Sequence, residues 1–112
     1  MTDKKYQILV VEDDEDARAA LVVMLEGMNF AVQDYESGKA ALADIANHSF
    51  DLALLDIMMP EMNGYELLEK IKLEEKYKKL PIIMVTAKDT DSEILEGYQY
   101  GADYYITKPF TA

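Results

Sequence analysis

Five polar residues stand where apolar runs of the chain end, and together they could do chemistry. Glu12 and Asp13 follow Gln7 to Val11, Asp56 closes Leu52 to Asp56, Thr86 closes Ile82 to Thr86, and Lys108 closes Tyr104 to Lys108. A carboxylate carried out of a buried strand is costly unless something there uses its charge. Asp56 is the sharpest case, because Pro60, Asn63 and Gly64 follow at once and forbid the strand to continue. Taken singly, each polar strand end reads as turn chemistry. Five of them at one edge do not. Three carboxylates at one rim repel each other, so either one keeps its proton or a cation is bound. An oxygen-only set without His or Cys favours Mg²⁺, with Mn²⁺ as the second choice. A hydroxyl and a lysine on the other side suit the oxygens of a phosphoryl group, and Asp56 between them becomes a nucleophile able to form an aspartyl phosphate.

The elements that must position these residues follow from periodicity. The runs Gln7 to Val11, Leu52 to Asp56 and Ile82 to Thr86 are continuous and apolar, as in strands buried on both faces of a parallel sheet. Phe30 to Tyr35 and Tyr104 to Lys108 complete five strands. Between them, Ala17, Leu21, Met24, Leu25 and Met28 recur at helical spacing, ending near Gly27 and Asn29. Ser37 is placed to cap a helix through Ala46 with Ala41, Leu42 and Ile45 inward. Asn63 with Glu66, and Thr90 with Glu93, are spaced as capping pairs. The first opens a helix burying Leu67, Leu68 and Ile71; the second opens one burying Ile94, Leu95 and Tyr98, stopped by Gly101. The charged run Lys72 to Lys79 reads as a solvated helix end and loop, and His48 as a plain surface residue. Alternating strands and helices imply an α/β fold with a parallel sheet covered on both faces, whose ligand site lies at the carboxyl ends of the strands.

Composition excludes several classes. At 112 residues the chain is one domain, and half its residues are hydrophobic, enough for a core. Twenty-two acids against eleven Lys and Arg give a charge of −11, which repels nucleic acid and anionic membranes. There is no cysteine, so disulfides and thiolate metal sites are excluded. No signal-peptide pattern or apolar run of membrane-spanning length is present, and a cytoplasmic protein is expected. Phosphate-cradling glycine loops of the G-x-x-x-x-G-K-[ST] or G-x-G-x-x-G kind are also missing.

The motifs Val10-Val11-Glu12-Asp13-Asp14, Leu55-Asp56-Ile57-Met58-Met59-Pro60 with Gly64, Val85-Thr86-Ala87, and Gly101-Ala102-Asp103 leading to Lys108-Pro109-Phe110 occur in one order across nearly the whole chain. In that combination the chain resembles the receiver domain of bacterial two-component response regulators. The resemblance implies a flavodoxin-like, doubly wound five-stranded sheet of order 2-1-3-4-5 over residues 1–112. It implies that Asp56 accepts a phosphoryl group from a phosphohistidine on a histidine kinase or phosphotransfer protein. Mg²⁺ would be held by Asp13, Asp56 and the backbone carbonyl of Met58, with Glu12 acting through water. Thr86 and Lys108 would meet phosphoryl oxygens, and Tyr105 would be the switch aromatic that turns inward when Thr86 moves. Phosphorylation would then alter the face formed by the fourth helix and fifth strand.

Two features depart from that pattern. Receivers close with a fifth helix after the Lys-Pro-Phe segment, so a trimmed chain, or a homodimer in which a neighbouring copy covers the gap, is expected. The output would lie in a following domain or a separate protein. Met58 is apolar where many relatives carry a polar group, which would either shield an acyl phosphate from water or simply fill a surface gap with a flexible side chain. The rival from another class is a metal-dependent phosphatase or phosphotransferase. Haloacid-dehalogenase-like enzymes carry a second Asp two residues after the nucleophile, and here that position is Met58. A degenerate receiver that only binds partners would need a lost site residue, and all five are present.

Overall fold

Short β-branched and leucine-rich runs bury both faces of their strands, and they assemble here as one parallel sheet of order β2-β1-β3-β4-β5. The computed structural model describes residues 5–86 and 102–107. The strands are β1 (Gln7–Val11), β2 (Ala31–Tyr35), β3 (Leu52–Asp56), β4 (Ile82–Thr86) and β5 (Tyr104–Thr107). The helices are α1 (Glu15–Gly27), α2 (Gly38–Asp44) and α3 (Gly64–Lys72), with single 3₁₀ turns at Ile45–Asn47 and Glu75–Tyr77. The expected helix opened by Thr90 and stopped by Gly101, and the Lys108-Pro109 pair expected at the polar end of β5, lie outside the described residues.

Side chains alternate along each strand, so the sheet builds two cores. Leu9, Val11, Leu55 and Met84 face α2 and α3, where Ala41, Leu67, Leu68 and Ile71 meet them. Ile8, Val10, Leu54 and Val85 face the other way and pack with Leu21 and Leu25 of α1. Each such leucine or isoleucine, taken fully from water, contributes about 1.5–3 kcal/mol. At the β5 edge of the α1 side, Tyr104 and Ile106, in register with Ile83 and Val85, stay exposed. No helix among the described residues is long and apolar enough to cross a membrane.

The helix starts follow their expected chemistry. Asp14 accepts from the Ala17 N–H at 2.8 Å, and Ser37 from the Ala40 N–H at 3.1 Å. Asn63 and Glu66 form a reciprocal capping box at the start of α3.

Three readings are corrected. Met28 is not on the inner stripe of α1: the helix ends at Gly27, Asn29 takes φ 71°, and Met28 points to solvent. The run Lys72 to Lys79 is not solvated throughout, because Tyr77 is buried and its hydroxyl donates to the carbonyls of Ile45 and His48. His48 is not a plain surface residue. Its Nε2 lies 3.0 Å from Asp44 Oδ2, its ring stacks near Phe50, and its carbonyl also accepts from Lys76 Nζ.

Candidate functional site

The strand order reverses direction at β1, which has β2 on one side and β3 on the other. Loops leaving two such strands diverge, and the crevice between them is where open α/β sheets hold ligands. Glu12 and Asp13 follow β1, and Asp56 ends β3, so the first three expected residues fall at that crevice. One carboxylate oxygen from each lies within 4.8 Å of the others. Glu12 and Asp56 are buried, at 0% and 2% exposure, whereas Asp13 opens to solvent.

Each acid is held by its own loop. The Glu12 N–H donates to the Tyr35 carbonyl at 3.1 Å, continuing the β1–β2 ladder one residue past the strand. Glu12 Oε2 accepts from the Asp14 N–H at 3.1 Å, and Asp56 Oδ1 from the Met58 N–H at 3.3 Å. Beyond β3, the Ile57 N–H donates to Val85 O, and the Gly64 N–H returns to Ile57 O, both at 3.0 Å. The intervening turn sets Glu61 at φ 68°, a left-handed conformation that costs a non-glycine residue about 1–3 kcal/mol. Gly64 sits against Asp56 itself: a Cβ there would collide with the Asp56 carbonyl oxygen and come within 2.7 Å of Met84 Cε. The glycine therefore lets α3 start directly over the carboxylate strand.

Electrostatically the cluster concentrates negative charge at one point. Three carboxylates this close repel one another, more strongly where two are shielded from water. A divalent cation relieves that repulsion, and a donor set made only of oxygens fits a hard ion. Thr86 ends β4 one residue beyond Val85, which is in register with Asp56. Tyr105 packs on the core beneath α2 and α3, and its hydroxyl lies 3.2 Å from that of Tyr65. Met58 follows Asp56 by two residues and is 57% exposed. Two participants escaped the sequence reading. Tyr65 meets Tyr105 across forty residues, a separation that leaves no local pattern. Arg18 donates from Nη1 to the Glu12 carbonyl at 2.9 Å, and its only sequence signal is a basic residue just inside an acid-led helix.

A doubly wound parallel sheet with a carboxylate cluster at its topological switch point defines the class. The response regulator receiver domain model matches residues 8–112. The chain is 37% identical over 109 residues to the transcriptional regulatory protein RprY of Bacteroides fragilis, covering 97% of this chain and 45% of that protein. It thus spans about half the length of the curated relatives it matches. Among solved structures, chemotaxis protein CheY4 of Vibrio cholerae superposes with a TM-score of 0.93 at 29% identity, covering 96% of this chain and 90% of that one. The receiver domain of sensor histidine kinase PA1611 of Pseudomonas aeruginosa, with a magnesium ion coordinated in its active-site cleft, gives 0.86 at 27% identity, covering 96% and 88%. The chain belongs to the response regulator receiver domain family, whose members are phosphorylation-activated switches of two-component signalling.

Proposed function

We propose that Asp56 is the phosphoacceptor of this receiver, and the observation that carries the reading is its setting. It is a carboxylate only 2% exposed, at the end of the central strand, with two more carboxylates within 4.8 Å. In the proposed reaction an Asp56 carboxylate oxygen attacks the phosphorus of a phosphohistidine on a kinase or phosphotransfer protein. The O–P bond forms as the N–P bond breaks, and the imidazole leaves with the electron pair. Mg²⁺, with Mn²⁺ as a substitute, would neutralise charge on the transferring group when bound. Asp13 and Asp56 would ligate it with the Met58 carbonyl, and Glu12 would act through water. The magnesium in the PA1611 receiver supports this choice of ion.

Thr86 and Lys108 are proposed to receive the phosphoryl oxygens, and Tyr105 to change position with them. Output then passes to a further module or a partner protein, in the cytoplasm. Turnover as a phosphatase is disfavoured because the position that haloacid-dehalogenase-like enzymes give to an acid/base carboxylate is Met58.

The test is intact mass after incubation with Mg²⁺ and a small-molecule phosphodonor. One phosphoryl adduct is expected on the wild type, none on Asp56→Asn, and none in EDTA. An adduct that survives Asp56→Asn would overturn the assignment.

A further inference from the structure

Arg18 lies in the second turn's worth of α1, four residues after the Asp14 cap. A cation near a helix N-terminus opposes the helix dipole, so helix stability does not account for it. Its guanidinium is instead divided between two elements that flank the carboxylates. Nη1 donates to the Glu12 carbonyl at 2.9 Å, and Nε pairs with Asp34 Oδ2 of β2 at 3.3 Å. The Arg18 side chain is 18% exposed, so its bond to the Glu12 carbonyl is largely sheltered from water, whereas the Asp34 side chain that anchors it is 43% exposed.

The consequence is geometric. The Glu12 N–H is already fixed on Tyr35 O of β2. Arg18 fixes the Glu12 carbonyl, and with it the plane of the peptide joining Glu12 to Asp13. Rotation of that plane would swing both carboxylates, one buried and one exposed, out of their common 4.8 Å cluster. Asp34 anchors the guanidinium in turn. The planar guanidinium donates from two separate nitrogens held in one rigid fork, whereas a lysine ammonium carries its three donors on a single nitrogen at the end of a flexible stem.

We infer that Arg18 is a positioning residue for the cation site: it orients Glu12 and Asp13 through the backbone and touches neither cation nor phosphoryl group. The inference rests on the metal site described above. Its sign separates it from a purely electrostatic role. A positive charge beside a cation site weakens cation binding, so removing it would tighten binding if charge were all that mattered. If orientation dominates, removing it loosens binding.

The experiment measures Mn²⁺ affinity of the chain from the loss of the free-ion electron paramagnetic resonance signal, with thermal stability in EDTA recorded beside it. Wild type, Asp13→Asn, Arg18→Met and Arg18→Lys are compared. Loss of an outer partner of a metal ligand costs about tenfold in affinity or more, and that loss is expected for Arg18→Met. Arg18→Lys, which keeps the charge and the packing stem, is expected to bind several-fold more weakly than wild type, and it decides the matter if Arg18→Met does not fold. Wild-type or tighter binding in Arg18→Lys, or in folded Arg18→Met, would overturn the inference while leaving the cation site intact. Equal binding by wild type and Asp13→Asn would overturn the cation site itself, and Arg18's role with it.

Discussion

The hydroxyls of Tyr65 and Tyr105 lie 3.2 Å apart, tying the first turn of α3 to β5. Tyr65 is buried and Tyr105 half-buried, so the bond forms where water competes poorly. Removing one hydroxyl while keeping its ring, in Tyr65→Phe, is expected to cost about 1 kcal/mol. It is also expected to broaden the Tyr105 ring resonances as the ring samples a second position. Urea denaturation and ring carbon spectra check the two halves separately. An unchanged Tyr105 ring would mean that the bond to Tyr65 is not what holds it.

Gly64 makes the strongest steric demand at the site. Gly64→Ala drives a methyl group into the Asp56 carbonyl and Met84, and the obstruction on one side is backbone. Either α3 retreats or β3 shifts. Overpacking of this kind costs about 1–3 kcal/mol, and cation affinity should fall with stability because Asp56 moves. A thermal melt paired with Mn²⁺ binding would show both losses; a loss of stability with unchanged affinity would place all the adjustment in α3.

Much of this architecture is legible in the sequence because it is local. Capping pairs such as Asn63 with Glu66 act within a single turn, and apolar runs such as Ile82 to Val85 declare buried strands whatever their neighbours. The strand order is not local and came with the family resemblance. The structure departs from the local pattern where a tertiary contact overrides it or where the pattern runs past the end of its element. Tyr77 sits in a run of charges, yet the carbonyls of Ile45 and His48 draw its hydroxyl inward. Met28 keeps the helical spacing but falls one residue beyond the helix, so it has no face to join. At the site, the carboxylates were visible as strand ends, whereas Arg18 was not, because what it orients is a backbone carbonyl.

Cation removal should act on stability with a definite sign. A ligand that binds only the folded chain stabilises it by about 2.7 kcal/mol at a hundred times its Kd, and Mg²⁺ is expected to raise the melting temperature accordingly. Asp13→Asn removes a ligand and one of the three clustered charges. In EDTA this variant should be as stable as wild type or more so, since repulsion is relieved; with Mg²⁺ its gain should shrink or vanish. Thermal melts of both proteins with and without the ion decide it. A variant that lost stability in EDTA would show Asp13 to be structural.

The acid limb of stability should report on Asp44, away from the site. Hydrogen bonds from Asn47, Tyr35 and His48 hold its carboxyl at about 2, against 3.8 for an unperturbed aspartate. Because the folded value lies below the unfolded one, the stabilisation is complete above about pH 4 and is lost as pH falls toward 2. The side chain is 38% exposed, so solvent screening keeps the effect modest. Its partner Tyr35 shifts the opposite way. Burial, then the 2.5 Å hydrogen bond to Asp44, raises the phenol above its ordinary value, so this contribution is full below about pH 10 and fades as pH climbs beyond it. Asp44→Asn should flatten the acid limb between pH 4 and 2 and leave less alkaline loss, both read from urea midpoints across pH. Acid and alkaline limbs identical to wild type would show that neighbouring groups carry the dependence.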